Sequence, residues 1–276
     1  MKQVCKLLHT CFAIIKKKQR SYSMERKIND NSYQKYAAKN YIVSECNKSA
    51  WRASMTLIDD IQVRNSPLTL YGASGSGKTH LAHCIIELMQ QKGNTALQLS
   101  AFDFIEQLVV AITNHEGDDF RHNLISYDML VIDDIQHFIG RMGCQGELGI
   151  ILDKRISLNK PTMFTSSDHP IRFSWDNKQL ESRLLSGMIL KLELPDREAQ
   201  IQMLKQHLDK VGIALPYDVM SESVRTTSGN GWLIEGVAKQ LIDMTERGEN
   251  ITKEMVTGLI LVKHPSGDAN NEKEVC

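Results

Sequence analysis

The stretch GASGSGKT, residues 72–79, constrains this chain more than any other. It fits GxxxxGK[ST] at every position, follows a short apolar run and precedes a segment whose apolar residues recur at spacings of three and four. Strand, glycine-rich turn and helix in that order make a phosphate-binding loop. Gly72, Gly75 and Gly77 let the backbone curl so that its N–H groups face a phosphate, and the positive end of the helix dipole adds to the attraction. The expected nucleotide-binding set is Gly72, Gly75, Ser76, Gly77, Lys78 and Thr79. Lys78 is expected to reach the β- and γ-phosphates and Thr79 to ligate magnesium, so the expected cofactors are ATP or ADP with Mg2+.

A second feature answers to the first. MLVIDDIQHFIG (129–140) begins with four apolar residues, the pattern of a strand buried on both faces, and runs into Asp133 and Asp134. Two adjacent carboxylates at the end of a buried strand repel each other and resist desolvation, so something must neutralise them. The strand is expected beside the one that precedes the glycine loop. Asp133 is then directed at the metal held by Thr79, and Asp134 orients the water that attacks the γ-phosphate. The next apolar run, TMFTSSDHP (162–170), ends in Ser166, Ser167 and Asp168. A polar group at the tip of a strand running between the two phosphate-binding strands would sense the terminal phosphate, and Asp168 is the expected one. Arg183 stands just before the last strand; arginine stabilises transferred phosphoryl charge when a neighbouring subunit delivers it.

The surroundings suit such a site. Strands are expected at 67–72, 95–100, 128–133, 161–167 and 188–194, with helices at 80–91, 102–114 and 147–158. This alternation predicts a parallel sheet covered on both faces. Beyond residue 195 the pattern turns all-helical, at 198–210, 217–226, 232–247 and 253–262. The expected organisation is a basic, disordered arm (1–39), an α/β nucleotide-binding domain (40–195), a helical lid (196–262) and a disordered polar tail (263–276).

Charge and cysteines narrow the partners. The formal net charge is zero, so the six cations before Met24 leave −6 on the rest, which offers no overall basic field for duplex DNA. The apolar part of the first residues, 7–15, is too short to span a bilayer, and a secretory reading is disfavoured because a basic cluster follows it. A mitochondrial presequence, a disordered arm, and translation that begins at Met24 all remain open. Six scattered cysteines without a CxxC pair read as reduced thiols of a cytoplasmic protein, with no membrane partner.

In this order the pieces resemble the DnaA family of AAA+ proteins, from about residue 41 to 262. NYIVSECNKSAW (40–51) is similar to that family's adenine-side segment, which implies that Tyr41 and Ile42 bind the nucleotide. GASGSGKTHLAH resembles its phosphate loop, and FRHNLISYDMLVIDDIQHFIG (120–140) its Asp-Asp segment; SSDHP falls at sensor 1 and SRL (182–184) at the arginine finger. The resemblance implies an α/β P-loop NTPase (AAA+) fold, a parallel five-stranded sheet with helices on both faces plus a small all-α lid. It also implies a weak ATPase, because Asp134 stands where many relatives carry the longer glutamate. The family's initiators have an extra helix whose apolar tip faces single-stranded DNA. FIEQLVVAITNHEGDDFRHN (104–123) has the length for it, which would make Val109 and Val110 DNA-facing, with Arg141 the remaining basic residue of the later loop.

Two departures bear on function. Trp232, in NGWLIEG (230–236), occupies the family's lid arginine position, so either the lid distinguishes ATP from ADP poorly or a group such as Arg225 substitutes. Fourteen residues follow Val262, which leaves no room for the helix-turn-helix domain of the initiators and implies no sequence-specific duplex DNA binding by this chain alone. What remains resembles the Hda type, an AAA+ module that partners DnaA with the sliding clamp and promotes hydrolysis of DnaA-bound ATP. QKYAAKNY (34–41) is at best a degenerate clamp-binding peptide. The leading expectation is therefore a regulator of replication initiation that docks on DnaA or another AAA+ subunit. The alternatives are a single-stranded-DNA-binding or helicase-loading ATPase and a non-hydrolysing nucleotide-binding scaffold.

Overall fold

The computed structural model describes residues 36–59, 66–225 and 227–257. The basic arm before residue 36 and the tail after 257 lie outside the described residues, as do the expected ends of two lid helices. Five strands, β1 (Leu68–Tyr71), β2 (Ala96–Ser100), β3 (Met129–Asp133), β4 (Thr162–Ser166) and β5 (Met188–Lys191), form one sheet in the order β2-β3-β4-β1-β5. Every pairing is parallel. All residues of β3 and β4 are buried, as expected for strands covered on both faces.

The order corrects one expectation. β3 does not lie beside β1; β4 runs between them, which is the place expected for the polar-tipped 162–170 strand. The cause is helix α2 (Lys78–Gln91), which leaves β1 and packs across β4, β3 and β2. It carries the chain to the far edge of the sheet, and the later strands step back towards β1. The loop after β1 and the end of β3 therefore face each other across the tip of β4.

Helices cover both faces. α1 (Lys48–Asp59) buries Ala50, Ala53, Ser54 and Leu57 against the sheet on the α2 side. α3 (Ala101–Thr113), α4 (Gly117–Ser126), α5 (Met142–Ser157) and α6 (Lys178–Ser186) close the other side around Phe104, Phe138, Phe164 and Trp175. Each fully buried aliphatic or aromatic side chain here contributes ~2 kcal/mol through removal from water. The helix expected at 102–114 is α3, and the rest of the stretch 104–123, which has the length for the family's extra helix, belongs to a separate helix, α4. His115 takes a left-handed φ of 60° between the two, and Ser100 with Asp103 forms a capping box at the start of α3.

Beyond β5 the described residues add no strand. α7 (Arg197–Asp209), α8 (Tyr217–Ser223) and α9 (Gly231–Glu246) pack around Leu204, Leu208, Ile234 and Leu241, with a further helical stretch at 253–257. Two of the three starts are capped by sequence-local side chains: at α7 Asp196 accepts from the Ala199 N–H and at α9 Asn230 from the Trp232 N–H, whereas α8 follows Pro216 without a side-chain cap. Among the described residues no helix is long and apolar enough to cross a membrane.

Candidate functional site

A cleft of about 400 Å³ opens where the loop after β1, the segment before α1 and the lid converge. The loop is shaped by Gly75 (φ 82°) and Gly77 (φ 95°), both left-handed. Gly77 is the N-cap of α2 and no side chain caps that helix, so its first N–H groups are left for a ligand. The hydroxyl of Ser76 is buried there without a protein partner.

Lys78 is buried, and its Nζ donates to the carbonyl oxygens of Gly72 (2.8 Å) and Ala73 (2.9 Å). Burial lowers its pKa, while the carboxylates of Asp134 and Asp133 act in the opposite sense. Thr79 Oγ1 donates to Asp133 Oδ2 at 2.9 Å, although 54 positions separate the two along the chain. Asp133 is 8% exposed, and its other oxygen accepts from the Thr165 hydroxyl. Burial pushes its pKa up and Asp134 adds to the shift, whereas the hydroxyls of Thr165 and Thr79 and the charge of Lys78 pull it down. Two hydroxyls and the field of one ammonium thus ease the burial of Asp133 without cancelling it, since its pKa stays above the usual carboxylate value.

Asp134 has φ 61°, a left-handed turn that is uncommon for a residue with a side chain. Its N–H donates to Thr165 Oγ1 at 2.9 Å, and Gln136 Nε2 donates to its Oδ1 at 3.0 Å. The Thr79 hydroxyl and the Asp133 carboxylate together offer hard oxygen donors with an electrostatic deficit to fill, which fits magnesium in preference to a softer metal.

On the opposite wall, Tyr41 and Ile42 line the cleft. Tyr41 stacks on Trp51 with ring centroids 5.4 Å apart and meets His80 edge-on at 5.1 Å. Asn47 pins this segment: its Nδ2 donates to the Ile42 carbonyl (2.8 Å) and its Oδ1 accepts from the Ser44 N–H (2.9 Å). Beneath it His83 stacks on Tyr36, and burial lowers its pKa from 6.5 to about 4. Between those two values the unfolded chain binds the extra proton, so stability is expected to fall as pH drops from about 6.5 to about 4, by up to ~3 kcal/mol. Urea midpoints across that range should fall less steeply for His83→Phe than for wild type. Identical slopes would remove His83 from the account.

The structure does not bring every expected residue to the cleft. Asp168 is ion-paired with Arg172 at 3.1 Å and is not among the described residues that line it; the preceding Ser167 is, and its N–H donates to Gln136 Oε1 at 3.1 Å. Arg183, on α6, donates to Asp153 at 2.5 Å and lies away from its own chain's cleft. Arg225 pairs with Glu222 and does not reach the cleft, whereas His207 and Lys210 of the lid do. Val109 and Val110 are 55% and 40% exposed on α3, and Arg141, which bonds the His137 carbonyl, is also at the surface.

The lid reaches the glycine-rich loop through one backbone and one side-chain amide, both donating to loop carbonyls. The Gly231 N–H donates to the Gly75 carbonyl (3.1 Å) and Asn230 Nδ2 to that of Ser74 (3.4 Å). The approach is so close that a Cβ on Gly75 would sit 2.4 Å from Asn230 Oδ1. Trp232 lines the cleft at this point, with about half its surface exposed. Thr165, Gln136, Asn47 and Asn230 carry weight that sequence reading missed. Only Asn230, in a loop before a helical pattern, left a local signal, that of an N-cap.

Comparisons with known proteins add the following. The model of the bacterial DnaA ATPase domain matches residues 33–191. The chromosomal replication initiator protein DnaA of Burkholderia mallei (strain SAVP1) is 28% identical over 219 residues, which cover 78% of this chain and 41% of that protein. The chain thus spans about two fifths of the length of such relatives. Among solved structures, domain III of Thermotoga maritima DnaA matches with a TM-score of 0.73 at 26% identity, over 83% of this chain and 96% of that one. A replication initiator DnaA bound to AMPPCP and single-stranded DNA matches with a TM-score of 0.68 at 26% identity, over 79% of this chain and 70% of that one.

Proposed function

Because the chain belongs to the family of bacterial DnaA ATPase domains, we propose that it binds ATP in this cleft and acts in the initiation of chromosomal replication or in its regulation. The observation that carries the reading is the meeting of Lys78, Thr79 and Asp133 under an uncapped helix start. On this reading the N–H groups of the loop and of the first turn of α2 hold the phosphates. Lys78 leaves the Gly72 and Ala73 carbonyls for the β- and γ-phosphate oxygens. Thr79 and Asp133 would hold magnesium, whose charge offsets that of the phosphates. Tyr41 and Ile42 flank the base. Asp134 and Ser167 stand nearest to where the terminal phosphate and its attacking water belong, and the short arm of Asp134 keeps intrinsic hydrolysis slow. Trp232 brings no cation to the cleft, so any cationic contribution of the lid to telling ATP from ADP falls to Lys210, which lines the cleft.

The regulator form of this reading places the partner-facing role on Arg183. It is exposed on the outer side of α6 and tied only to Asp153 among the ion pairs of the described residues. It can therefore be offered to the cleft of DnaA or another AAA+ subunit, in the manner of the Hda type. Arg183→Ala is expected to bind ATP as wild type does and to lose about a thousandfold or more of the partner-stimulated rate, the least that an arginine supplied in trans contributes to phosphoryl transfer. Undiminished stimulation in a single-turnover assay with the host's DnaA would contradict the role in trans. Bridging to the sliding clamp belongs to the same proposal and is tested by pull-down of the clamp.

A second reading has its own observation. α3 presents Val109, Val110 and Ile112 to solvent, the last 56% exposed, which is unusual for three close aliphatic side chains on one helix. This supports contact with single-stranded DNA. Nucleotide-bound wild type should then retard a single-stranded oligonucleotide and Val109→Asp should not; equal mobility shifts for both would count against it.

A further inference from the structure

Asp133 and Asp134 are consecutive, and on a regular strand consecutive side chains point to opposite faces. Both nevertheless act on the Lys78 ammonium. The left-handed φ of 61° at Asp134 is what turns the second carboxylate back towards the cleft, and a residue with a Cβ keeps that conformation only where its neighbours impose it. Two side chains impose it here. The Thr165 hydroxyl, wholly buried on β4, donates its proton to Asp133 Oδ1 and accepts the Asp134 N–H at 2.9 Å. One oxygen thereby fixes the side chain of the first aspartate and the backbone of the second. Gln136 then donates from Nε2 to Asp134 Oδ1 (3.0 Å) and accepts at Oε1 from the Ser167 N–H (3.1 Å). A continuous polar chain runs from Thr79 through Asp133, Thr165, Asp134 and Gln136 to Ser167 at the tip of β4.

We propose that Thr165 and Gln136 are positioning residues: Thr165 aims the Asp133–Asp134 pair at the metal and the attacking water, and Gln136 couples Asp134 to the β4 tip. The proposal rests on the nucleotide reading above. Neither residue needs to touch the nucleotide for this. Thr165 holds its hydrogen-bonding capacity entirely for the two aspartates, and β4 supplies it because the parallel register sets Ile132 opposite Phe164, one position before each. Replacing the hydroxyl by a methyl leaves the volume nearly unchanged. It removes one donor from Asp133 and one acceptor from the Asp134 N–H, and the left-handed turn loses what holds it.

The experiment follows a fluorescent ATP analogue bound to the full chain, in EDTA and across a magnesium titration. Thr165→Val should bind the analogue in EDTA within about twofold of wild type, while the magnesium concentration for half-maximal effect rises about tenfold, the effect expected for an outer-shell partner of a metal ligand. Thr165→Ser, which restores the hydroxyl without the methyl, should return the magnesium dependence to that of wild type. Gln136→Leu should leave the magnesium titration alone and slow single-turnover hydrolysis about tenfold, as loss of a group that orients a reacting residue does. An unchanged magnesium titration in Thr165→Val, or a Thr165→Ser variant as impaired as Thr165→Val, overturns the role of Thr165. Should Thr165→Val fail to fold, the Ser variant and the half-buried Gln136 still decide, since unimpaired hydrolysis in Gln136→Leu overturns the coupling. Wild type that binds no analogue at all overturns the nucleotide reading itself, a result distinct from each of these.

Discussion

Lys78→Ala is expected to lose at least a hundredfold in affinity for ATP while remaining folded. The ammonium is buried on two loop carbonyls and within the field of Asp134 and Asp133, and no other cation is so placed on the floor of the cleft among the described residues. Removing one member of a buried, hydrogen-bonded charge pair costs about 2–5 kcal/mol, and at ~1.4 kcal/mol per decade the middle of that range exceeds a hundredfold. The loss should appear in nucleotide affinity, because the interaction is made in the bound ground state as well as during hydrolysis. The variant also withdraws the charge that offsets Asp133 and Asp134. The Asp133 pKa, already raised by burial, then rises further, so the variant's melting temperature should fall more than that of wild type as pH rises through the carboxylate range. Calorimetric titration with ATP checks the first effect, and an affinity within threefold of wild type would contradict it.

The other large effect concerns the scaffold. Arg155 has no exposed surface, and its guanidinium donates to Thr162 Oγ1 (2.9 Å) and to the carbonyls of Leu124 (2.9 Å), Tyr127 (2.8 Å) and Pro161 (2.7 Å). Those carbonyls belong to the end of α4 and to the approaches to β3 and β4. One side chain thus satisfies a helix terminus and ties it to two central strands. Burial lowers its pKa to about 10, so it stays charged at neutral pH. Arg155→Met fills much of the space, but the carbonyls are backbone and cannot be replaced by apolar groups. Each one left buried and unpaired costs about 1–3 kcal/mol. Even with partial access for water the total reaches about 4 kcal/mol, a large share of the ~5–15 kcal/mol that holds a domain folded. Thermal unfolding should shift down by roughly 8–16 °C. Arg155→Lys, with a point charge in place of a planar fork, should fall between wild type and the methionine variant. A shift within about 2 °C for Arg155→Met would show that other donors satisfy those carbonyls.

These two residues mark what local sequence could and could not show. Lys78 announces itself, because the role proposed for it follows from the residues on either side of it and from the strand and helix that flank them. The same holds for Thr79 and for the Asp133–Asp134 pair, whose oddity as charges on a buried strand is visible without coordinates. Arg155 lies in a stretch read simply as one amphipathic helix, and its partners are 6 to 31 positions away. Thr165 reads as an ordinary strand residue until the β3–β4 register sets it beside the aspartates. The expected adjacency of β1 and β3 failed for a related reason: strand order depends on the path of α2 over the sheet, which no short window encodes. Helices α1, α4 and α6 were passed over because their apolar patterns are short, and because local breaks such as the left-handed His115 do not stand out from composition. The cleft wall at the β4 tip shows the smallest such error. Two candidate side chains one position apart could not be separated by spacing, and the turn directs Ser167 to the cleft and Asp168 to Arg172.

The central claim is that Asp133 and Thr79 hold a magnesium ion against a nucleotide gripped by Lys78. The most direct measurement is ATP affinity with magnesium and with EDTA, for wild type and for Asp133→Asn. Magnesium should tighten binding about tenfold or more in wild type, the typical effect of a metal ligand and its outer shell, and should do so only slightly in Asp133→Asn. Equal tightening in both proteins, or wild type indifferent to magnesium, would contradict the account.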